Sequence, residues 1–347
     1  MGMNVLQIDG SMGEGGGQVL RSSLALASLS ATPFRISGIR AGRARPGLMR
    51  QHLVAVNAAA QIADATVQGA EIGSTTLEFR PRAIRAGDYH FSIGSAGSTT
   101  LVFQTVLWPL LLGTSSPSTL HFEGGTHNPM APPYEFIAQT FLPVLARMGA
   151  RVEAELAAHG FYPAGGGRWS TTIWPTKRIG RLELLERGEL RNVSARSLVA
   201  SLPPSIALRQ LEMLAAALGW DRSACRPQMV ENSRGPGNAL LSFLESEHIT
   251  EVVTGFGDRG VSSESVVARV ASDVRRYLSA NVPVGEHLAD QLLLPMALGG
   301  GGVFRTVEPS RHCLTQLRLL ELFLGTSAVV TREDEAAWRI EIVSRSA

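Results

Sequence analysis

The sequence predicts a mixed α/β fold of the α+β kind, in which one structural unit occurs three times and a smaller αβ domain is inserted between the second and third copies. Three observations carry this. The order helix, strand, loop, helix, two strands recurs three times along the chain. The stretch from about 182 to 280 breaks that rhythm. The 347 residues, 44% hydrophobic and 18% charged, suit an ordinary globular protein with a large core rather than a disordered or fibrous chain.

In the first unit, apolar spacing predicts a helix at about 17–30, the strand FRISGIR, the loop AGRARPG, a helix at about 47–64 and short strands near 66–80. The second runs through the strand DYHFSIG, a helix at about 97–112, the strand TLHFEGG, the loop THNPMAP, a helix at about 133–148 and further strands. Its first helix, TLVFQTVLWPLLLG, is the most apolar stretch, yet it is short for a membrane span and carries Gln104 and Pro109, so it reads as buried. The third unit comprises the helix HLADQLLLPMALGG, the strand GVFRTV, the loop EPSRH, the helix CLTQLRLLELFLG and the strands SAVVTR and AAWRIEIVS. Residues 1–181 and 281–347 thus form the repeat-built catalytic domain. Residues 182–280 form the inserted one, with a helix at about 203–218, the strand EVVTGF and a long helix from SSESVV.

Between that strand and the long helix lies GFGDRG, the one match to a dinucleotide fingerprint. No second βαβ half follows, and an ordinary turn containing Asp258 explains it. Cys225 and Cys313 are too few for a disulfide framework, and the N-terminus shows no export or lipidation signal, so the expected setting is a reducing cytoplasm, away from membranes.

The stretch GEGGGQVLRS, residues 13–22, places three glycines where a helix begins. Glycine weakens a helix, so the run needs something that must approach the backbone closely, and phosphate is the obvious candidate. With a helix starting near Glu14, residues Glu14, Gln18 and Arg21 form one polar stripe at i, i+4 and i+7. Two readings fit: an ion pair at the helix start, or a carboxylate holding a divalent metal beside bound phosphates. From Gly15 to Ala63 there is no acidic residue, while Arg21, Arg35, Arg40, Arg43, Arg45 and Arg50 fall there. Arginine rather than lysine favours bidentate phosphate recognition, the alternative being a solvated face. The equivalent loops of the three units supply Arg40, Arg43, Arg50, Gln51 and His52; Thr126, His127 and Asn128; and Arg311 and His312. Ser310 as N-cap puts His312 in a first helical turn, where the positive end of the dipole favours a neutral imidazole able to attack phosphorus.

Taken together, GEGGGQVLRS, IRAGRARPGLMRQHL, GSAGSTTLV, GGTHNPMAPP, HGFYPAGGG, GEHLADQLLLPMAL and PSRHCLT make the chain resemble the RNA 3′-terminal phosphate cyclase family over nearly its whole length. The resemblance implies repeats of the kind also seen in enolpyruvyl transferases and an insert of thioredoxin-like topology. It implies three steps with ATP as substrate: a histidine is adenylylated, AMP passes to the 3′-phosphate of RNA, and the vicinal 2′-hydroxyl displaces AMP to leave a 2′,3′-cyclic phosphate. By position the nucleophile is His312, and Glu14 is the carboxylate for a divalent metal, Mg2+ or Mn2+. Gln18, Arg21, Gln104, Asn128, His287, Asp290 and Gln291 match positions around ATP and its phosphates. Arg40, Arg43, Gln51 and His52 match positions around the RNA end. RNA with a 3′-phosphate is the implied partner, and a homodimer is allowed.

Two positions depart from the family pattern. His287 stands in GEHLADQ where the family has tyrosine, which bears on adenine stacking, and Gln316 follows Thr315 where asparagine is more usual, which bears on how the His312 helix is held. A non-catalytic cyclase-like RNA-processing protein and an enolpyruvyl transferase are the rival readings. Retention of His312, Glu14 and Arg43 weighs against the first, and PSRH with HGFYPAGGG against the second.

Overall fold

The computed structural model describes residues 5–343. Strands β1 (Leu6–Asp9), β2 (Phe34–Ser37), β3 (Thr66–Gln68) and β4 (Thr76–Arg80) form a sheet of order β1-β2-β4-β3, with helices α1 (Gln18–Ser30) and α2 (Arg50–Ile62) between its strands in sequence. The next sheet repeats the order as β5-β6-β8-β7, from β5 (Asp88–Ser92), β6 (Ser118–Gly124), β7 (Arg151–Ala158) and β8 (Gly167–Trp174). Its helices are α3 (Thr99–Leu112) and a bent stretch made of α4 (Tyr134–Phe136), a π-turn at Ile137–Phe141 and α5 (Leu142–Arg147).

After β9 (Leu182–Leu184) the chain enters a third sheet of order β11-β10-β12-β13, from β10 (Leu190–Ala200), β11 (Cys225–Val230), β12 (Gly237–Ser246) and β13 (Thr250–Phe256), covered by α6 (Ser205–Leu218) and α7 (Ser263–Ala280). It closes with α8 (Glu286–Leu298), β14 (Gly302–Thr306), α9 (Arg311–Leu324), β15 (Ser327–Arg332) and β16 (Trp338–Val343), whose strands join β9 in the order β9-β14-β16-β15. In the sheets of β1, β5 and β9 the first strand pairs parallel to its neighbour and the remaining pairs are antiparallel.

The helices meet at the centre. α3 is apolar all round and almost wholly buried, so it can be satisfied only inside the molecule, and it packs against α1 and α2 while α9 packs against α1 and α8. This brings the N-terminal ends of α1 and α9 together. Ser310 caps α9 by accepting a hydrogen bond from the Cys313 amide at 3.2 Å, as its sequence position predicts.

Several local expectations are corrected. Helix α1 starts at Gln18, so Glu14 stands in the preceding loop rather than on the helical stripe, because Gly13 and Gly15 adopt positive φ of 62° and 60° that no helix continues through. Residues 182–184, assigned from the sequence to the insert with no strand read there, form β9, which pairs with β14 and so lies in the sheet of the last unit. Strands β1, β10, β11 and β12 escaped the reading: β12 is buried along nearly its whole length and lacks the alternation that marks a half-exposed strand. GFGDRG follows a strand antiparallel to its neighbour β12, which a dinucleotide-binding βαβ unit excludes.

Candidate active site

A cavity of about 530 Å³ opens between α1, α3, the loop at 129–133, the insert's β13 and α7, and the starts of α8 and α9. One wall is apolar, with Leu101, Trp108, Phe136, Phe256 and Leu294. The lining also carries Gln18, Arg21, Gln104, His287, Asp290, Gln291 and His312, seven of the residues proposed from sequence. A largely apolar cavity with several convergent polar side chains suits a nucleotide.

Part of the polar lining is ordered by one chain of hydrogen bonds. Gln18 donates from Nε2 to Asp290 Oδ2 at 3.0 Å, which turns its carbonyl oxygen toward His312 Nδ1, also at 3.0 Å. A carbonyl oxygen only accepts, so Nδ1 donates to Gln18, and in the neutral ring the lone pair is on Nε2, the nitrogen that faces Glu14 Oε2. Burial, then Arg21 and Arg43, push the His312 pKa down to about 4, leaving the ring neutral at neutral pH. Burial pushes Asp290 up to about 7 against the pull of Arg21, and lowers Arg21 to about 10, which leaves it charged. Gln316, one of the two departures, accepts from Ser22 Oγ at 2.7 Å and so ties α9 to α1. His287 is exposed on the rim, and its carbonyl accepts from Gln291 Nε2 at 2.6 Å while Gln291 Oε1 accepts from Gln104.

Beside His312 lies the glycine loop. Glu14 contacts Arg43 through Oε1 and His312 Nε2 through Oε2. A Cβ on Gly17 would sit 2.7 Å from Arg21 Nη1 and 2.8 Å from His52 Cδ2, and one on Gly16 would sit 2.9 Å from Glu14 Oε1. The run GGG is therefore what lets an acid, two arginines and a histidine close in on one stretch of backbone. Both Glu14 carboxylate oxygens are shielded from solvent, with Arg43 and His312 as their neighbours. An anionic, hard-oxygen ligand beside a ring-nitrogen lone pair fits a divalent cation, and Arg43 supplies the ion pair that the simpler reading requires.

Other sequence candidates are occupied differently. Arg40 Nη1 donates to the carbonyls of Arg45 and Gly47 at 2.6 and 2.8 Å, so its guanidinium shapes the arginine loop. Gln51 Oε1 accepts from the Ser98 amide at 3.0 Å and joins the start of α2 to the cap of α3. His52 is buried, with Nδ1 accepting from the Met49 amide at 3.3 Å, and burial beside Arg21 and Arg40 lowers its pKa to about 3. Asn128 turns its amide nitrogen to the Ala96 carbonyl and does not line the cavity, though Pro129 next to it does.

Sequence reasoning missed the wall contributed by the insert. Glu251 on β13 is buried, accepts from the Gly285 amide at 3.3 Å and is pushed by burial up to about 8, and Tyr277 on α7 donates to the Pro283 carbonyl at 3.1 Å. Nothing local in EVVTGF signals this, because residues distant in sequence, on β13, α7 and α8, line the cavity together. Equally unread was a buried cluster linking two of the quoted motifs. His127 Nε2 lies 2.6 Å from Glu135 Oε2, His127 Nδ1 lies 2.8 Å from Thr126 Oγ1, and that hydroxyl accepts from the Gly160 amide at 2.9 Å. The ring of His159 stands 5.1 Å from that of His127. The network pins the loop that walls the cavity at 129–133.

A family model described as RNA 3′-terminal phosphate cyclase matches residues 12–330. Curated proteins named RNA 3′-terminal phosphate cyclase are similar over almost the full length: that of Ralstonia nicotianae is 50% identical over 333 residues, covering 96% of this chain and 95% of that protein. That of Koribacter versatilis is 46% identical over 344 residues, covering 99% and 96%. That of Ectopseudomonas mendocina is 44% identical over 342 residues, covering 99% of each. With motifs, fold and relatives in agreement from the glycine loop to the last sheet, the chain belongs to the RNA 3′-terminal phosphate cyclase family.

Proposed function

We propose that this chain uses ATP to convert the 3′-terminal phosphate of RNA into a 2′,3′-cyclic phosphate, with His312 as the nucleophile. The observation that carries the reading is the Asp290–Gln18–His312 chain beside a nucleotide-sized cavity, which supports a neutral ring with its proton on Nδ1 and its lone pair on Nε2. Nε2 attacks the α-phosphorus of ATP, the bond to the bridging oxygen breaks, and pyrophosphate leaves. A 3′-phosphate oxygen of RNA then attacks the same phosphorus, the P–N bond breaks, and AMP is joined to the RNA end as a phosphoanhydride. The 2′-hydroxyl finally attacks the RNA phosphorus, loses its proton and expels AMP, so a DNA end cannot cyclise. Arg21 and Arg43 oppose the charge that grows on phosphoryl oxygens. Glu14 would hold the divalent cation, which when bound neutralises phosphate charge. We also read the three like-ordered sheets as repeats of the kind found in enolpyruvyl transferases, and the insert as thioredoxin-like.

If the chain of hydrogen bonds orients the nucleophile, Gln18→Leu slows enzyme–AMP formation by about 10- to 100-fold, the range for loss of an orienting partner. Asp290→Asn costs less, because its amide oxygen still accepts from Gln18. Adduct formation followed with α-labelled ATP checks both; equal rates in Gln18→Leu and wild type contradict the assignment.

Arg43 separates the steps. Arg43→Ala slows AMP transfer to RNA more than self-adenylylation, by roughly 2 to 4 kcal/mol for loss of a charged contact to a developing oxyanion. Arg43→Lys recovers only part of it, since a point charge does not reproduce the bidentate fork. The check is single-turnover: the adduct is preformed, a 3′-phosphorylated oligoribonucleotide is added, and loss of label from protein is timed. Transfer at the wild-type rate returns the arginine loop to a solvated face.

A further inference from the structure

We propose that Asp88, His90 and His121 form a binding site for a borderline divalent cation, Zn2+ above all, on the outward face of the second sheet. The backbone builds the cluster. Asp88 and His90 are two residues apart on β5 and point to the same side, while Tyr89 and Phe91 between and beyond them are buried in the core. On β6 the register partner of His90 is His121, so all three side chains converge on one solvent-facing patch.

The spacing is that of ligands around one ion. Nε2 of His90 and Nε2 of His121 each stand 3.4 Å from the same oxygen, Asp88 Oδ1. A charge-assisted hydrogen bond would be shorter, at about 2.7–2.9 Å. Bonds of about 2.0–2.1 Å to a tetrahedral Zn2+ put neighbouring ligand atoms about 3.3–3.4 Å apart. The two imidazole rings stack 4.4 Å apart at 12°, so one ring turns about its Cβ–Cγ bond to bring both lone pairs onto one ion, a motion that their exposure leaves open.

Ligand chemistry selects the metal. Two imidazoles and one carboxylate favour Zn2+, Ni2+ or Cu2+ over Mg2+, which prefers oxygen ligands. All three residues are exposed or half-exposed, so the remaining coordination positions face solvent. A cation here would tie the edge strand β5 to β6, and none of the three residues lines the cavity of His312. The buried group of His127, Glu135 and His159 is a different case, because a direct 2.6 Å contact between His127 and Glu135 leaves no room for an ion between them.

The test uses the full chain without a histidine tag, stripped with chelator and titrated with Zn2+ by calorimetry. Because His312 and His52 can also take Zn2+, the quantity read is the difference between wild type and the double variant His90→Ala/His121→Ala. The wild type should bind one more equivalent, or bind that equivalent at least about a hundredfold more tightly, at about tenfold per ligand lost. Asp88→Asn should weaken the same equivalent, excess Mg2+ should not displace it, and the double variant should form the enzyme–AMP adduct at the wild-type rate with Mg2+ and ATP. Identical Zn2+ stoichiometry and affinity in wild type and double variant, or displacement of that equivalent by Mg2+, overturns the proposal.

Discussion

His312→Ala is expected to abolish the covalent enzyme–AMP adduct while leaving the protein folded. The residue sits in the first turn of α9 with its side chain 42% exposed, so its removal empties no core, and the Ser310 cap that starts the helix is untouched. What is lost is the nitrogen that attacks phosphorus. Its low pKa makes the ring neutral at neutral pH, and Gln18 keeps the proton on the other nitrogen. The other histidines near the site are placed differently: His287 stands on the exposed rim of the cavity, and His52 is buried and holds the Met49 amide through Nδ1. The measurement is protein-bound label after incubation with α-labelled ATP and Mg2+, alongside thermal unfolding. An adduct on the alanine variant would move the nucleophile elsewhere, with His52 the first residue to test.

The largest stability effect is expected at Glu135. Its carboxylate is almost fully buried against a fully buried His127 ring, and removing one member of such a pair strands the other, at a cost of about 3–5 kcal/mol. Glu135→Ala should lower the midpoint of chemical unfolding accordingly, whereas Glu135→Gln, which keeps an oxygen for His127, should lose less. The pair also sets a pH dependence. Burial alone would raise the Glu135 pKa, but the charge and hydrogen bond of His127 outweigh it and hold the carboxyl at about 2. A folded-state pKa below the unfolded value contributes stability that is present above about 4.5 and is lost as pH falls toward 2. Unfolding of wild type and Glu135→Gln between pH 6 and 3 checks this: the gap between the two should shrink on acidification, and a gap that stays constant contradicts the ion-pair account. Because the network pins the loop at 129–133, the alanine variant should also bind ATP more weakly.

Much of the site was legible because its residue types are unusual in their setting. An acid and three glycines before an apolar helix, arginines without acids, and a histidine two residues past an N-cap serine each need an explanation that packing does not give. The seven residues that line the cavity come from three units far apart in sequence, and the resemblance to the family united them. What stayed hidden was tertiary. The glycines at 13 and 15 take φ values that end the helix short of Glu14, so the helical stripe failed while the pairing with Arg43 and His312 emerged in space. Arg40 and Gln51 look like phosphate ligands in sequence and serve backbone carbonyls and amides in the fold. Glu251 and Tyr277 reach the cavity from the insert, and a partner 34 residues away is what gives Glu251 its buried acceptor role.

The central claim is that His312 carries AMP from ATP to an RNA 3′-phosphate. The most direct measurement preforms the adduct with α-labelled ATP, removes free nucleotide, and adds an oligoribonucleotide ending in a 3′-phosphate. The account predicts that label leaves the protein, passes through an RNA-adenylate and appears as AMP in step with a 2′,3′-cyclic phosphate, and that a 2′-deoxy terminus stops at the RNA-adenylate. Cyclic phosphate formed by wild type with no labelled protein before it, or an adduct that RNA does not discharge, would contradict it.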